Sequence, residues 1–195
     1  MGLYVHSMGE LPTSAGRDYY LYLLDYGWDE PLGEAMRKNL PQMADKASRS
    51  NAVVVYGPRG VHFEDEVLSW HHVNGEPAEK ILPALLITTR HPSTIYELYG
   101  PAKGRPVPPD AMLLIPLKKI CQTAQDVADL IQKVFKDISA KKPLLDFQIT
   151  HEMRKGKGRS LVDAIVLEPN VAGVGVDVKK VLATLFGRNP KSRNA

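Results

Sequence analysis

The sequence predicts an α/β fold in which a mixed β-sheet is flanked by helices. Short apolar runs bounded by Gly, Pro or charged residues have the length and composition of buried strands. They cover residues 19–25, 52–56, 81–89 and 111–117. The segments between them space their apolar residues like helices, and this alternation is typical of a sheet with helices on its faces. The length of 195 residues suits one domain with additions, or two small domains.

The first half of the chain is expected to hold a short arm and then the core, over residues 1–17 and 18–140. The arm is mixed in character and punctuated by Gly and Pro, which predicts flexibility. After the first strand, acidic residues and Pro31 favour the first turn of a helix, which we expect to run to about Ser48 with a bend at Pro41. A further helix is expected over residues 63–73.

Residues 91–110 contain seven Pro or Gly residues, which predicts a long loop. Thr123 then begins a strongly amphipathic helix that is expected to end near Ser139. Its apolar face comprises Ala124, Val127, Ala128, Ile131, Val134, Phe135 and Ile138.

The C-terminal part predicts a β-hairpin and helix extension over residues 144–187, either within the same domain or as a small subdomain. Apolar and polar residues alternate over 145–153, which is typical of a half-exposed antiparallel strand. A basic turn at 154–159 would lead into a returning strand at 160–167 and a last helix. The final residues, 188–195, form a basic tail.

The net charge of +3 conceals an asymmetry between the two halves of the chain. Residues 1–100 carry 8 Lys or Arg against 13 Asp or Glu, whereas residues 101–195 carry 17 against 9. The basic half therefore favours acidic partners, although solvated surfaces explain such differences equally well.

One cysteine, Cys121, excludes an intramolecular disulfide and gives no sign of an oxidising compartment. The N-terminus lacks the pattern of a secretory signal, and no apolar run has the length of a membrane span. We expect a cytoplasmic protein without membrane association.

Up to residue 139 the elements follow the order strand, helix, strand, helix, strand, strand, helix. Trp28 precedes Asp29-Glu30-Pro31-Leu32 at the start of the first helix, and Leu82-Pro83-Ala84 leads into the third strand. This order resembles the thioredoxin fold, whose members carry Trp and Cys-x-x-Cys at the first place and a cis-proline at the second. Asp29 and Leu32 stand at the two cysteine positions, so the resemblance implies a member without thiolate chemistry.

Two sets of residues are candidates for a chemical role: a group of histidines near one predicted helix, and a histidine with a neighbouring hydroxyl in a loop. His62 and Glu66 lie one helical turn apart and could hold a divalent metal, with His71 as a third ligand, although surface histidines on an acidic helix are the simpler interpretation. Directly after the third strand, His91 could act as a base for Ser93 or Thr94, and Arg90 could hold a phosphate or carboxylate. We expect this segment near the ligand crevice that strand carboxyl ends form in α/β sheets.

Two basic segments are the candidates for binding anions or a partner. The turn at 154–159 holds Arg154, Lys155, Lys157 and Arg159, which could contact an acidic protein, another copy of this chain or nucleic acid, or could simply solubilise a hairpin tip. A Gly-containing loop precedes the last helix, whose Lys179 and Lys180 could help hold an anion. It does not match the phosphate-binding fingerprints.

These observations favour a redox-inactive interaction or oligomerisation module over an enzyme. The expected partner is a protein with an acidic surface or a second copy of the chain, and no cofactor is expected. The alternative is a nucleotide- or nucleic-acid-binding protein or enzyme that uses the basic half together with His91 and Arg90.

Overall fold

The computed structural model describes residues 1–14, 16–27, 30–58, 62–71, 73, 78–99 and 111–155. In chain order, its strands and helices are β1 (Gly2–Tyr4), β2 (Tyr19–Leu24), α1 (Pro31–Lys38), α2 (Leu40–Arg49), β3 (Ala52–Tyr56), α3 (Phe63–Trp70), α4 (Ala78–Ile81), β4 (Ala84–Thr88), α5 (Pro92–Tyr99), β5 (Met112–Pro116), α6 (Leu117–Ile120), α7 (Ala124–Ser139) and α8 (Gln148–Lys155). The α/β class is therefore confirmed.

The strands form one mixed five-stranded sheet with the order β1-β3-β2-β4-β5. Strands β1 and β2 run parallel to β3, whereas β4 is antiparallel to both β2 and β5. The parallel strands therefore end together, at Leu24 and Tyr56, on what we call the carboxyl edge. Strand β4 runs the other way and ends at Thr88, opposite Tyr20, on what we call the amino edge.

Helices cover both faces of the sheet, which explains why all six residues of β2 are buried. One face packs against α1, α2, α7 and α8 around a core that includes Leu21, Val54, Leu85, Leu113, Val134, Phe135 and Phe147. The other packs against α3 and the N-terminal segment around a core that includes Met8, Tyr22, Val55, Phe63, Val67, Leu86 and Leu114. Burial on both faces is what the uninterrupted apolar strands predicted.

The helix expected after β2 is broken into α1 and α2 at Asn39, two residues before Pro41. The side-chain amide of Asn39 donates to the carbonyl of Ala35 at 2.8 Å. Its backbone N–H also donates to carbonyls in the last turn of α1. Proline is tolerated in the first turn of α2 because the N–H groups there have no intrahelical acceptor.

The first residues do not form the loose arm that their composition predicted. Gly2–Tyr4 adds a strand beside β3, and the segment after it buries Val5, Met8 and Leu11 against the sheet. A three-residue edge strand is too short to show a period in the sequence, so the local pattern could not reveal it.

The antiparallel strand predicted over 145–153 is wrong, because this segment forms a 3-10 turn at Leu144–Asp146 and then α8. The carboxylate of Asp137 accepts the N–H of Gln148 at 2.6 Å and so holds the start of α8. Ile149, Thr150 and Met153 are buried at helical spacing. The remainder of the predicted hairpin, the last helix and the basic tail lie outside the described residues.

The loop predicted over 91–110 is also wrong in its first half, since Pro92–Tyr99 forms α5 with Ile95 fully buried. Residues 100–110 lie outside the described part. The strand expected over 81–89 is shortened to β4, because Ile81 belongs to α4 and the Leu82–Pro83 peptide bond is cis.

Candidate functional site at the carboxyl edge

Asp25 follows the last residue of β2 and forms a largely buried ion pair at the carboxyl edge. Its carboxylate is 8% exposed and pairs with the guanidinium of Arg37, which reaches back from the last turn of α1. The N–H of Gly27 donates to the same carboxylate at 3.0 Å. A Cβ atom on Gly33 would lie 2.5 Å from Asp25 Oδ2, so only glycine lets α1 approach this closely.

Glu64 lies beside this pair in the first turn of α3. Its residue is 4% exposed, and its Oε1 accepts the backbone N–H of Asp25 at 3.3 Å. Burial raises the pKa of Glu64 to about 7; Asp65 raises it further, while the backbone N–H of Glu64 itself, His62 and Arg37 oppose the change. Both protonation states are therefore populated near neutral pH, and the carboxyl can accept or release a proton there.

The other acidic groups at this edge are engaged in structural contacts. The hydroxyl of Tyr26 donates to the Asp65 carboxylate, and Glu66 accepts the backbone N–H of Met8 at 3.0 Å. Glu30, immediately before α1, pairs with Lys118 at 2.7 Å. The first two contacts tie the end of β2 and the N-terminal segment to α3, and the third ties the start of α1 to α6.

The three candidate metal ligands do not converge. His62 is 89% exposed on its side chain and pairs with Asp65 at 3.0 Å. His71 is fully buried, with Nδ1 2.7 Å from the carbonyl of Val67 and its ring edge-on to Tyr22. Glu66 is engaged with Met8, and the described residues contain no group of three side chains placed to hold a metal ion.

The structure does bring His91 and Ser93 together. His91 Nδ1 lies 2.7 Å from Ser93 Oγ and also accepts the Ser93 N–H at 3.2 Å, so the ring caps the start of α5. Burial lowers the pKa of His91, with an opposing contribution from the backbone of Leu11. An Nδ1 that accepts these bonds belongs to a neutral ring protonated on Nε2.

His91 lies at the amino edge, because β4 is antiparallel to β2. The ligand crevice expected from the sequence would require β4 to run with the parallel strands. Arg90, His91 and Ser93 are therefore at the opposite end of the sheet from Asp25 and Glu64. This corrects the expectation that they line the crevice at the strand carboxyl ends.

Cys121 is 3% exposed, and burial raises the pKa of its thiol to about 11; Asp126 adds to the increase and Lys133 opposes it. Nucleophilic cysteines require the opposite shift, so this thiol is unsuited to exchange reactions.

The basic candidates are only partly within the described chain. Arg154 and Lys155 belong to the end of α8 rather than to a hairpin tip. Lys157, Arg159, Lys179 and Lys180 lie outside the described residues. Within the described helices, none is both long enough and apolar enough to cross a membrane.

Sequence reasoning missed Asp25, Arg37 and Glu64. An acid placed directly after an uninterrupted apolar run was the available signal for Asp25, but its partners are separated from it by 12 and 39 residues. No known family, curated protein or solved structure matches the chain.

Proposed function

We propose that this chain is a redox-inactive protein-interaction module with a thioredoxin-like fold. Two features support the fold: α1 begins at Pro31 after the short connection that follows β2, and the cis Leu82–Pro83 bond precedes β4. A cytoplasmic location belongs to the same proposal, because a single buried cysteine suits a reducing compartment.

The redox-inactive part rests on Cys121 and on the beginning of α1. Glu30 and Pro31 stand where the thioredoxin resemblance places the reactive motif, and Glu30 is held by Lys118. The sole thiol is buried in the core with a raised pKa. At pH 8, Ellman's reagent should therefore label the native protein about 100-fold more slowly than the urea-unfolded protein. Rapid labelling of the native protein would contradict this part.

The interaction part is carried by an aromatic pair in which Tyr96 is exposed and Trp70 is half-buried. The Tyr96 side chain on α5 is 54% exposed, and its ring centroid lies 5.2 Å from that of Trp70 on α3. Aromatic side chains are enriched at protein interfaces, where the rings lose contact with water on binding. Arg154 and Lys155 at the end of α8 are basic, so an acidic protein surface is the proposed partner.

The experiment is quantitative affinity capture from the source cells with the full chain. Tyr96→Ser should lose at least one captured protein, and Arg154→Glu with Lys155→Glu should lose the acidic ones. Gln132→Ser, exposed on α7 across the sheet, is the matched control and should retain them. Equal capture by all variants would overturn the interaction proposal.

The nucleic-acid alternative is tested separately by adding oligonucleotides to the same protein. It rests on the positive excess of residues 101–195. Binding that weakens steeply with salt, and that Arg90→Ala reduces, would replace the interaction proposal. No binding at low salt would remove the alternative.

A further inference from the structure

Strand β1 leaves one side of its backbone open. Among the described residues it is the terminal strand and pairs with β3 alone. The carbonyl of Met1 accepts the N–H of Val54 at 2.9 Å, and the N–H of Val5 donates to Tyr56 at 3.1 Å. Backbone groups of alternate residues point to opposite sides of a strand, so those of Gly2 and Tyr4 point outward. We call these outward groups the open edge of β1.

Among the described residues, no strand pairs with the open edge, and the residues that carry it are exposed. Gly2 is exposed, and Tyr4 is 50% exposed with its ring 5.1 Å from that of Tyr56. Natural edge strands are commonly blunted by Lys, by Pro, by a bulge or by being very short. Gly2–Tyr4 is short, at three residues, but contains neither Lys nor Pro. Such an edge can accept another strand through main-chain hydrogen bonds.

Opposite charges stand at the two ends of β1. Near its carboxyl end, Glu10 Oε2 accepts the outward N–H of His6 at 3.0 Å. Near its amino end, Arg17 Nη2 lies 3.7 Å from the sulfur of Met1, and Nη1 donates to the side chain of Asn51 at 3.3 Å. An antiparallel pairing of two copies would therefore bring Arg17 of each copy towards Glu10 of the other. A parallel pairing would bring like charges together.

The same antiparallel pairing gives hydrogen-bond partners to the outward N–H and C=O groups of β1. With Gly2 opposite Tyr4 of the second copy, each of these residue pairs can exchange two N–H···O=C bonds, and the twofold axis passes between the two Leu3 residues. Gly2 adds no side chain to this pair, but Ala44 of α2 fills the space on that face, 2.9 Å from where a Gly2 Cβ would lie, so the ring of Tyr4 would pack beside α2. The half-buried Leu3 side chains meet across the axis as an apolar cross-strand pair.

We propose that the open edge of β1 binds β1 of a second copy in antiparallel register, joining two five-stranded sheets across a twofold axis. This inference deepens the proposed function, since it names a second copy of the chain as a partner.

The first test is a charge-swap cycle on the full chain, read by sedimentation equilibrium at low salt. Glu10→Arg and Arg17→Glu, made separately, place like charges across the interface and should each weaken the dimer about tenfold. The double swap restores opposite charges and should recover most of the affinity. A purely structural effect of each substitution would instead accumulate in the double variant.

The second test is a register-specific cross-link under mild oxidation. Leu3→Cys places two thiols opposite each other at a separation that a disulfide can bridge, so it should give a covalent dimer. Tyr4→Cys is the matched control, because its thiol would face Gly2 of the second copy and should give much less. Thermal melting of both variants establishes that they are folded.

A monomer at concentrations up to about 100 μM would overturn this inference. A dimer insensitive to the charge swaps and to Leu3→Cys would also overturn it, since the copies would then meet through another surface. Neither result affects the Tyr96 capture experiment, whose failure would count against the proposed function instead.

Discussion

The Glu64 carboxylate accepts the backbone N–H of Asp25 at 3.3 Å and thereby joins α3 to the end of β2. The contact joins Glu64, whose pKa burial raises to about 7, to a neighbour that is ion-paired with Arg37. Their environments differ. Among the described residues, Glu64 forms no ion pair, whereas Asp25 pairs with Arg37. The stability of this edge should therefore depend on pH through Glu64.

Replacing Glu64 with glutamine should stabilise the protein at high pH. The folded-state pKa of about 7 lies above the ordinary value of 4.5, so the folded state binds this proton more tightly than the unfolded state. This contribution to stability is complete below pH 4.5 and is lost as the pH rises through 7. The glutamine side chain keeps the acceptor without the charge, and we expect it to add about 1–2 kcal/mol at pH 8 and little at pH 4.5.

Urea unfolding of both proteins at the two pH values measures this difference. Glu97→Gln, on the exposed surface of α5, is the control and should show no comparable gain at pH 8. A Glu64→Gln protein that is no more stable than the parent at pH 8 would show that Glu64 is ionised in the fold without cost.

Removing the cation from the buried pair should be strongly destabilising. Arg37→Met leaves the Asp25 carboxylate, only 8% exposed, without its ion-pair partner and should cost about 3 kcal/mol. Adding Asp25→Asn removes the stranded charge, so the double variant should lose less than the sum of the single losses.

Arg49→Met provides a matched control in chemical denaturation. Arg49 pairs with Asp45 at 2.9 Å, but both side chains are more than half exposed, and surface pairs of this kind contribute about 0.5 kcal/mol or less. Equal losses for Arg37→Met and Arg49→Met would show that the Asp25 pair is no stronger than a surface pair.

Gly33→Ala should destabilise the fold even though it lies within a helix. Alanine normally stabilises a helix interior relative to glycine by about 1 kcal/mol. Here its Cβ would lie 2.5 Å from Asp25 Oδ2, so α1 or the ion pair must move, at a cost of about 1–3 kcal/mol. Gly9→Ala meets only Ser7 Oγ at 3.7 Å and is the control in thermal melting. A stabilised Gly33→Ala protein would contradict the close approach.

The core strands could be predicted from the sequence because their burial is uniform. Runs such as Ala52–Tyr56 carry no polar interruption, and a strand covered on both faces requires none. Helix α8 was mistaken for a strand because apolar residues at 147, 149 and 153 fit a period of two when Thr150 is counted as polar. Thr150 is in fact buried, and its hydroxyl donates to the carbonyl of Leu144 at 2.8 Å.

The candidate site was less accessible to sequence reasoning, for a different physical reason. The position of His91 depends on the direction of β4, which no local pattern encodes. The position of Glu64 depends on the packing of α3 against the end of β2, since its contact spans 39 residues of sequence. Short-range spacing correctly placed Ser93 within reach of His91, because that contact forms within a single turn.

Ser93→Ala should raise the pKa of His91. The Ser93 hydroxyl lies 2.7 Å from Nδ1, and donation to that nitrogen stabilises the neutral ring, adding to the effect of burial. Because the folded-state pKa is lowered, the contribution of His91 to stability is complete above its ordinary value of 6.5 and is lost as the pH falls below it. The alanine variant should therefore be less sensitive to acid in this range.

NMR titration of the ring protons measures the change, and Thr94→Ala, one residue along the same turn, is the control. A His91 pKa that stays the same or falls in Ser93→Ala would show that the hydroxyl does not donate to the ring.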